Sequence, residues 1–208
     1  MGPKFREEGD GDGSPSSGRA SPRRSRAPRR DRDVSRIFIA AYPPSSVVDA
    51  LATAIDSIED LPAHRRVPRT QIHLTVQFVG DVDRRDLDRV IETVERGAAG
   101  VDPFEVAADR WVTLPERGPS RLIAAAAPEV AALSTLHERL SKRLARRRSG
   151  GEKFLPHLTL LRFRSPVPGF RFDRKLVVEP IPVRSIVVVQ SVLRPEGADH
   201  RALAEIPL

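Results

Sequence analysis

The pattern His-x-Thr-x occurs twice in this chain, each time inside a strand-like apolar run. His73-Leu74-Thr75-Val76 lies within QIHLTVQFVG, and His157-Leu158-Thr159-Leu160 lies within FLPHLTLLRF. Side chains on a strand alternate between faces, so His and Thr two apart point the same way while Leu and Val point into a core. Two such strands set side by side place two imidazoles and two hydroxyls around one small polar cleft. A lone strand histidine is usually structural. Two of the five histidines in one four-residue context point instead to paired chemistry.

The rest of the chain narrows the classes. With 208 residues it is long enough for one well-buried domain or two small lobes sharing a cleft. The net charge of +7 favours an anionic partner such as nucleic acid. Only four of the cations are lysines, a bias that suits forked phosphate binding but that a GC-rich genome also produces. There is no cysteine, which removes disulfides, thiolate catalysis and thiolate metal sites. No apolar run reaches transmembrane length and no secretory signal is visible, so the expectation is a cytoplasmic, monomeric protein with no membrane attachment.

Residues 1–34 are rich in Gly, Ser, Pro and charge, and bury too little apolar surface to offset their ordering entropy. They are expected to form a disordered tail, acidic or mixed at first and basic later, ahead of a catalytic domain over 35–208. A basic arm could hold RNA weakly, and a spacer is the plainer reading.

From Arg36 the pattern predicts a strand over Ile37 to Ala41, then a helix capped by Ser45 or Ser46 with Val48, Leu51, Ile55 and Ile58 inward. A loop from Leu61 to Thr70 precedes the first motif strand, which Gly80 is expected to end. Asp81 and Asp83 are placed to cap a helix from about Arg84 to Gly97. Phe104 to Leu114 and Arg121 to Ala127 read as two strands. Pro128 opens a long helix through Leu133, Leu136, Leu140 and Leu144, ending in Arg146-Arg147-Arg148 and Gly150-Gly151. The second motif strand follows over Phe154 to Phe163. Val183 to Leu193 and Arg201 to Leu208 then pair as a hairpin. The halves echo one another, each feeding a helix into a His-x-Thr-x strand. The expected class is α+β, with antiparallel sheets curved around a central cleft.

Opening a cyclic phosphate needs one proton removed from the attacking hydroxyl or water and one delivered to the departing oxygen, on opposite sides of phosphorus. Two imidazoles, one neutral and one protonated, supply both near neutrality. Thr75 and Thr159 can donate to the non-bridging oxygens. Arg162, odd in an apolar strand, could neutralise the phosphate. Its odd offset from His157 puts it on the wrong face unless the strand is bulged. No metal or other cofactor is needed, and a two-histidine metal site is the minority alternative. His64, in a polar loop, and His137, on the polar side of a helix, are expected at the surface.

The paired motifs, with Arg36-Ile37-Phe38-Ile39-Ala40 before them, Phe78-Val79-Gly80-Asp81 and Pro156 beside them, and SVLRPEGADHRALAEIPL at the end, resemble the two-histidine phosphoesterase superfamily. Within it they look most like the RNA 2',3'-cyclic phosphodiesterases, also called 2'-5' RNA ligases. The resemblance covers Arg36 to Leu208. It implies a bilobal α+β fold of two antiparallel sheets with helices outside, pseudo-twofold around a central cleft. It also implies metal-independent hydrolysis of an RNA 2',3'-cyclic phosphate to a 2'-phosphate, with His73 as proton donor and His157 as proton acceptor. Reversible 2'-5' joining of RNA ends is a known side of the family. The partners so implied are RNA ends or cyclic nucleotides. One departure is His200, where the family often has Tyr. It is expected to replace Tyr as a surface ring, with a third imidazole near the cleft as the other reading. The competing functions are a phosphodiesterase for another small cyclic nucleotide and a non-catalytic RNA-binding protein.

Overall fold

The computed structural model describes residues 34–144, 154–194 and 197–208. The expected tail except Val34, the helix end at Arg146 to Gly151, and Pro195-Glu196 of the expected hairpin turn lie outside the described residues.

The first strand, β1 (Val34–Ala41), starts two residues before Arg36. Helix α1 (Ser45–Asp56) buries Val47, Val48, Leu51, Ala52 and Ile55. Neither Ser45 nor Ser46 caps it. Pro44 holds the N-cap place, and its carbonyl accepts from Val47 and Val48 N–H at 3.1 Å each. Within the expected loop lie a short strand, β2 (His64–Arg66), and a 3-10 turn over Arg69–Gln71. His64 is therefore a strand residue, opposite Phe163. Its three polar residues carry no apolar alternation, so only tertiary pairing reveals the strand. Arg66 ties it to the C-terminus of α1, bonding the Ile55 carbonyl at 3.2 Å and Asp56 at 2.7 Å.

The first motif strand, β3 (Leu74–Asp83), runs through Gly80 instead of stopping there. Against β1, Ile37 faces Gly80 and Phe38 faces Phe78, so Val79 is an extra residue. Gly80 takes φ 88°, which a glycine in a bulge adopts without strain, and the strand bends and continues. Helix α2 (Leu87–Ala98) follows a 3-10 turn. Neither Asp81 nor Asp83 caps it; Asp81 instead lies 3.8 Å from Arg36. The single strand expected over Phe104 to Leu114 is two: β4 (Phe104–Val106) and β5 (Arg110–Leu114). The segment Ala107-Ala108-Asp109 between them lets the chain change sheets. Next come β6 (Ser120–Ala126) and α3 (Ala131–Leu144). Pro128 does not open α3; the helix starts three residues later, where Ser134 N–H bonds Val130. Gly97 lets α2 approach α3, since a Cβ there would meet Leu140 Cδ2 at 2.6 Å.

The second motif strand is β7 (His157–Val167). After it come β8 (Asp173–Lys175), three exposed residues without a strand signal, and β9 (Ile181–Val183). The hairpin of β10 (Ser185–Arg194) and β11 (Gly197–Pro207) closes the chain. Among the described residues the large antiparallel sheet runs β11-β10-β1-β3-β7-β6-β5-β8, with β2 also on β7, while β4 and β9 form a small second sheet. The two halves meet where Leu74 of β3 faces Leu158 of β7. One face buries Leu74, Val76, Leu158 and Leu160 with Leu51, Val94, Leu136 and Leu140 of the helices, all at 2% exposure or less. On the other face Phe38, Ala40 and Val189 form a small separate cluster with Tyr42.

Candidate active site

The single pairing between β3 and β7 falls on the middle residue of both motifs. Leu74 and Leu158 face each other and point into the core. In an antiparallel ladder the flanking positions then fall opposite one another: His73 beside Thr159, and Thr75 beside His157. All four side chains therefore share the face away from the helices. The two histidines stand on the diagonal of this square, where Cα atoms are about 7–8 Å apart. Small residues flank the square. Ala40 of β1 faces Thr75, while Ala124 and Ala126 of β6 face Thr159 and His157.

Both motif strands are bulged just beyond the threonine. Opposite β1 the partner steps from Thr75 to Gln77, leaving Val76 extra; opposite β6 it steps from Thr159 to Leu161, leaving Leu160 extra. The alternation changes phase at each bulge, so Val76 and Gln77 are both buried, as are Leu160 and Leu161. Arg162 is thereby returned to the face of His157, and the bulge that its odd offset requires is present. Phe78 occupies the corresponding place after His73 and is 67% exposed. On β2, Arg65 faces Arg162. Like charges directly opposite are unfavourable unless an anion joins them, so this corner suits a phosphate.

Each motif imidazole is held by a backbone carbonyl two residues earlier. His73 Nδ1 donates to Gln71 at 2.6 Å and His157 Nδ1 to Leu155 at 2.9 Å. A carbonyl only accepts, so the proton sits on Nδ1 and the neutral ring turns its Nε2 lone pair outward. Burial is the main force on both groups. It pushes the His73 pKa down to about 4, against the bond to Gln71 and together with the charges of His200, His157 and Arg162. His157 is also pushed down by burial, with Arg162 acting the same way. Arg162 thus acts electrostatically on both rings.

Two residues expected at the surface lie elsewhere. His200 packs its ring 5.3 Å from His73 and 5.0 Å from Phe38, because β11 brings it over the end of β1. The surface-ring expectation for it is wrong, and a third imidazole beside the cleft is what the fold builds. His137 of α3 donates from Nδ1 to the carbonyl of Val76, the bulged residue, at 2.7 Å, and stacks on Phe154 at 4.0 Å. Sequence pattern could not reveal a bond across 61 positions. Phe78 was legible in principle, since it sits five residues after His73 as Arg162 sits five after His157. Among the described residues no cluster of three or more His, Cys, Asp or Glu could hold a metal ion, and no helix is long and apolar enough to cross a membrane.

The family model of the 2'-5' RNA ligase superfamily matches residues 47–183 of this chain, more than half of it. The chain belongs to the 2'-5' RNA ligase superfamily. It is a phosphodiesterase of the two-histidine type. An RNA 2',3'-cyclic phosphodiesterase of Thermus thermophilus is 27% identical over 180 residues, covering 83% of this chain and 90% of the relative. The crystal structure of TT0787 of Thermus thermophilus, also 27% identical, superposes with a TM-score of 0.72 over 83% of this chain and 97% of that one. E. coli LigT complexed with 3'-AMP shares the fold, with a TM-score of 0.65 at 21% identity over 84% of this chain and 98% of its own.

Proposed function

We propose that this superfamily member hydrolyses 2',3'-cyclic phosphates, at RNA ends or on nucleotides, to 2'-phosphates. His73 is the proton donor and His157 the proton acceptor. The observation that carries this reading is the pairing of Leu74 with Leu158, which sets both motif histidines on one face at the seam of the two halves. The 27% identical Thermus thermophilus relative is named for this reaction and gives the substrate class.

The reaction follows from where the groups stand. The substrate phosphate carries one negative charge and lies over the four-residue square, with Arg162 and Arg65 on its β7 side. Thr75 and Thr159 donate to its non-bridging oxygens. His157, held neutral by burial, takes a proton from water on one side of phosphorus. The water oxygen bonds phosphorus as the 3'-oxygen leaves on the opposite side. His73 delivers its proton there, and the product is a 2'-phosphate with a free 3'-hydroxyl. A proton lost from one ring is thus gained at the other, and exchange with solvent resets the pair. With an RNA 5'-hydroxyl in place of water, the same forward steps join two ends through a 2'-5' bond, the 3'-oxygen again leaving as a hydroxyl.

The free enzyme holds both rings mainly neutral at pH 7. Entry of the anion offsets the repulsion on His73 and lets it take up the proton it will donate. The residues from 35 to 208 form the catalytic unit, and residues 1–34 are an accessory tail.

The test is turnover of a 2',3'-cyclic nucleotide and of a cyclic-phosphate-ended oligoribonucleotide, with a chelator present. Wild type turns both over. His73→Ala and His157→Ala, folded by circular dichroism, lose about 100- to 10,000-fold in kcat. Undiminished turnover in both variants ends the reading.

A further inference from the structure

The β10–β11 hairpin does more than close the sheet. Gln71 is bonded twice: its carbonyl accepts from His73 Nδ1 at 2.6 Å, and its side-chain amide donates to the Ala198 carbonyl of β11 at 2.8 Å. One residue therefore fixes both the ring of His73 and the strand that carries His200, two positions on. The result is a cluster of three rings. His200 meets His73 edge-on at 5.3 Å and 71°, and meets Phe38 at 5.0 Å and 64°. Phe38 in turn lies 4.9 Å from His73.

The two imidazoles are not equivalent. His73 has its proton fixed on Nδ1 by the Gln71 carbonyl, so it turns a lone pair toward the cleft. His200 Nδ1 is buried and has no hydrogen-bond partner. A proton on that atom would be a buried, unsatisfied N–H, which is costly, whereas a bare lone pair costs less. The neutral ring of His200 therefore keeps its proton on Nε2, and a second proton has no acceptor to meet. Burial pushes His200 below the ordinary histidine range, and Asp199 on its own strand only partly opposes this. From the other elements, its neighbours are the neutral face of Phe38 and the His73 ring.

We propose that His200 is a substrate-contacting residue: an imidazole, neutral near pH 7, whose Nε2–H donates to a non-bridging oxygen of the phosphate held between His73 and His157. This rests on the phosphodiesterase reading above. A neutral donor suits that place because it binds the anion without adding a charge that would drive the donated proton off His73. It also gives the His73 side of the phosphate a donor, as Arg162 does on the other side.

The experiment compares His200→Phe with His200→Tyr in the full chain. Both keep a ring against Phe38 and His73; Tyr restores a neutral donor and Phe does not. With a 2',3'-cyclic nucleotide, kcat/KM of His200→Phe is expected to fall by roughly tenfold and the inhibition constant for inorganic phosphate to rise by a similar factor. His200→Tyr is expected to stay within about threefold of wild type. The wild type to His200→Phe ratio is expected to stay flat from pH 7 to 8, where the ring is neutral and no charge is lost with it. Equal activity of the Phe and Tyr variants overturns the inference, and so does a ratio that follows a titration curve. If His200→Phe does not fold, His200→Gln replaces it, with wild-type phosphate binding expected for an amide donor and tenfold loss overturning the proposal. His73→Ala and His157→Ala run in parallel. Wild-type turnover in those two defeats the phosphodiesterase reading itself, whereas their loss alongside an unaffected His200→Phe defeats only the role of His200.

Discussion

The strands β3 and β7 are the same device built twice with different furnishings. From the motif histidine onward they share one burial sequence, a buried leucine between half-buried His and Thr, then two buried residues in a row and an exposed one. They differ in what fills that exposed position and in what satisfies the bulge. In β7 the exposed residue is Arg162, and the Leu160 carbonyl accepts from the backbone of Val67 at 2.8 Å. In β3 it is Phe78, and the Val76 carbonyl accepts from the side chain of His137. The backbone repeat places the two imidazoles and the two hydroxyls symmetrically. The unrepeated residues make one side cationic and the other aromatic, with Phe38, Tyr42, His200 and Phe78 grouped around His73. A phosphate ester is itself lopsided, an anion joined to a ring, and under the proposed function the two sides would divide it accordingly.

The comparison can be broken in graded ways. The motif histidines are expected to carry the largest effect, since under the proposed function each supplies a proton step worth about 100- to 10,000-fold. Next is Arg162. Arg162→Ala is expected to lower kcat/KM by about ten- to a hundredfold, and Arg162→Lys by less, because the lysine keeps charge but not the fork. Phe78→Ala, its counterpart, should change kcat little and raise KM a few-fold for a cyclic nucleotide. Equal losses at both positions would show that the asymmetry is without consequence.

The bulges sharpen the comparison through stability. His137→Phe keeps the stack on Phe154 but leaves the Val76 carbonyl without its donor. It should cost about 1–3 kcal/mol in urea unfolding. Val67→Ala, whose N–H to Leu160 survives, should cost less than a buried-core deletion of the same size, because Val67 is only partly buried.

pH separates the two rings from ordinary surface histidines. His73 has a folded-state pKa near 4, below the unfolded value near 6.5, so below that value the unfolded state binds more protons. Its contribution to stability is whole above pH 6.5 and is lost as pH falls toward 4. Thermal melts of wild type should drop across that window, and those of His73→Phe should drop less. In kinetics, both depressed rings shift the bell of kcat/KM to the acid side of pH 6.5. An optimum above pH 7 contradicts the assignment. Removal of residues 1–33 is expected to have the smallest effect, leaving cyclic nucleotide turnover within about twofold.

Much of this was legible in the chain. The repeated His-x-Thr-x fixed the face and the seam, because period-two alternation is a local property. Arg162 was legible together with its difficulty, the odd offset that only a bulge repairs. The bulges themselves are set by neighbouring strands and helices, so no local pattern announces them. The same holds for β2 and β8, whose polar triplets become strands only by pairing with β7 and β5. The position of His200 was illegible for a related reason. It depends on Gln71 gripping Ala198 across 127 residues.

The claim beneath all of this is that one phosphate touches both motif rings at once. Imidazole 15N NMR of the full chain, titrated with a nucleoside 2'-monophosphate, tests it directly. The Nε2 signals of His73 and His157 should move together, along one binding curve with a single dissociation constant, while those of His64 stay still. Movement of only one of the two, or separate curves with different constants, would contradict it.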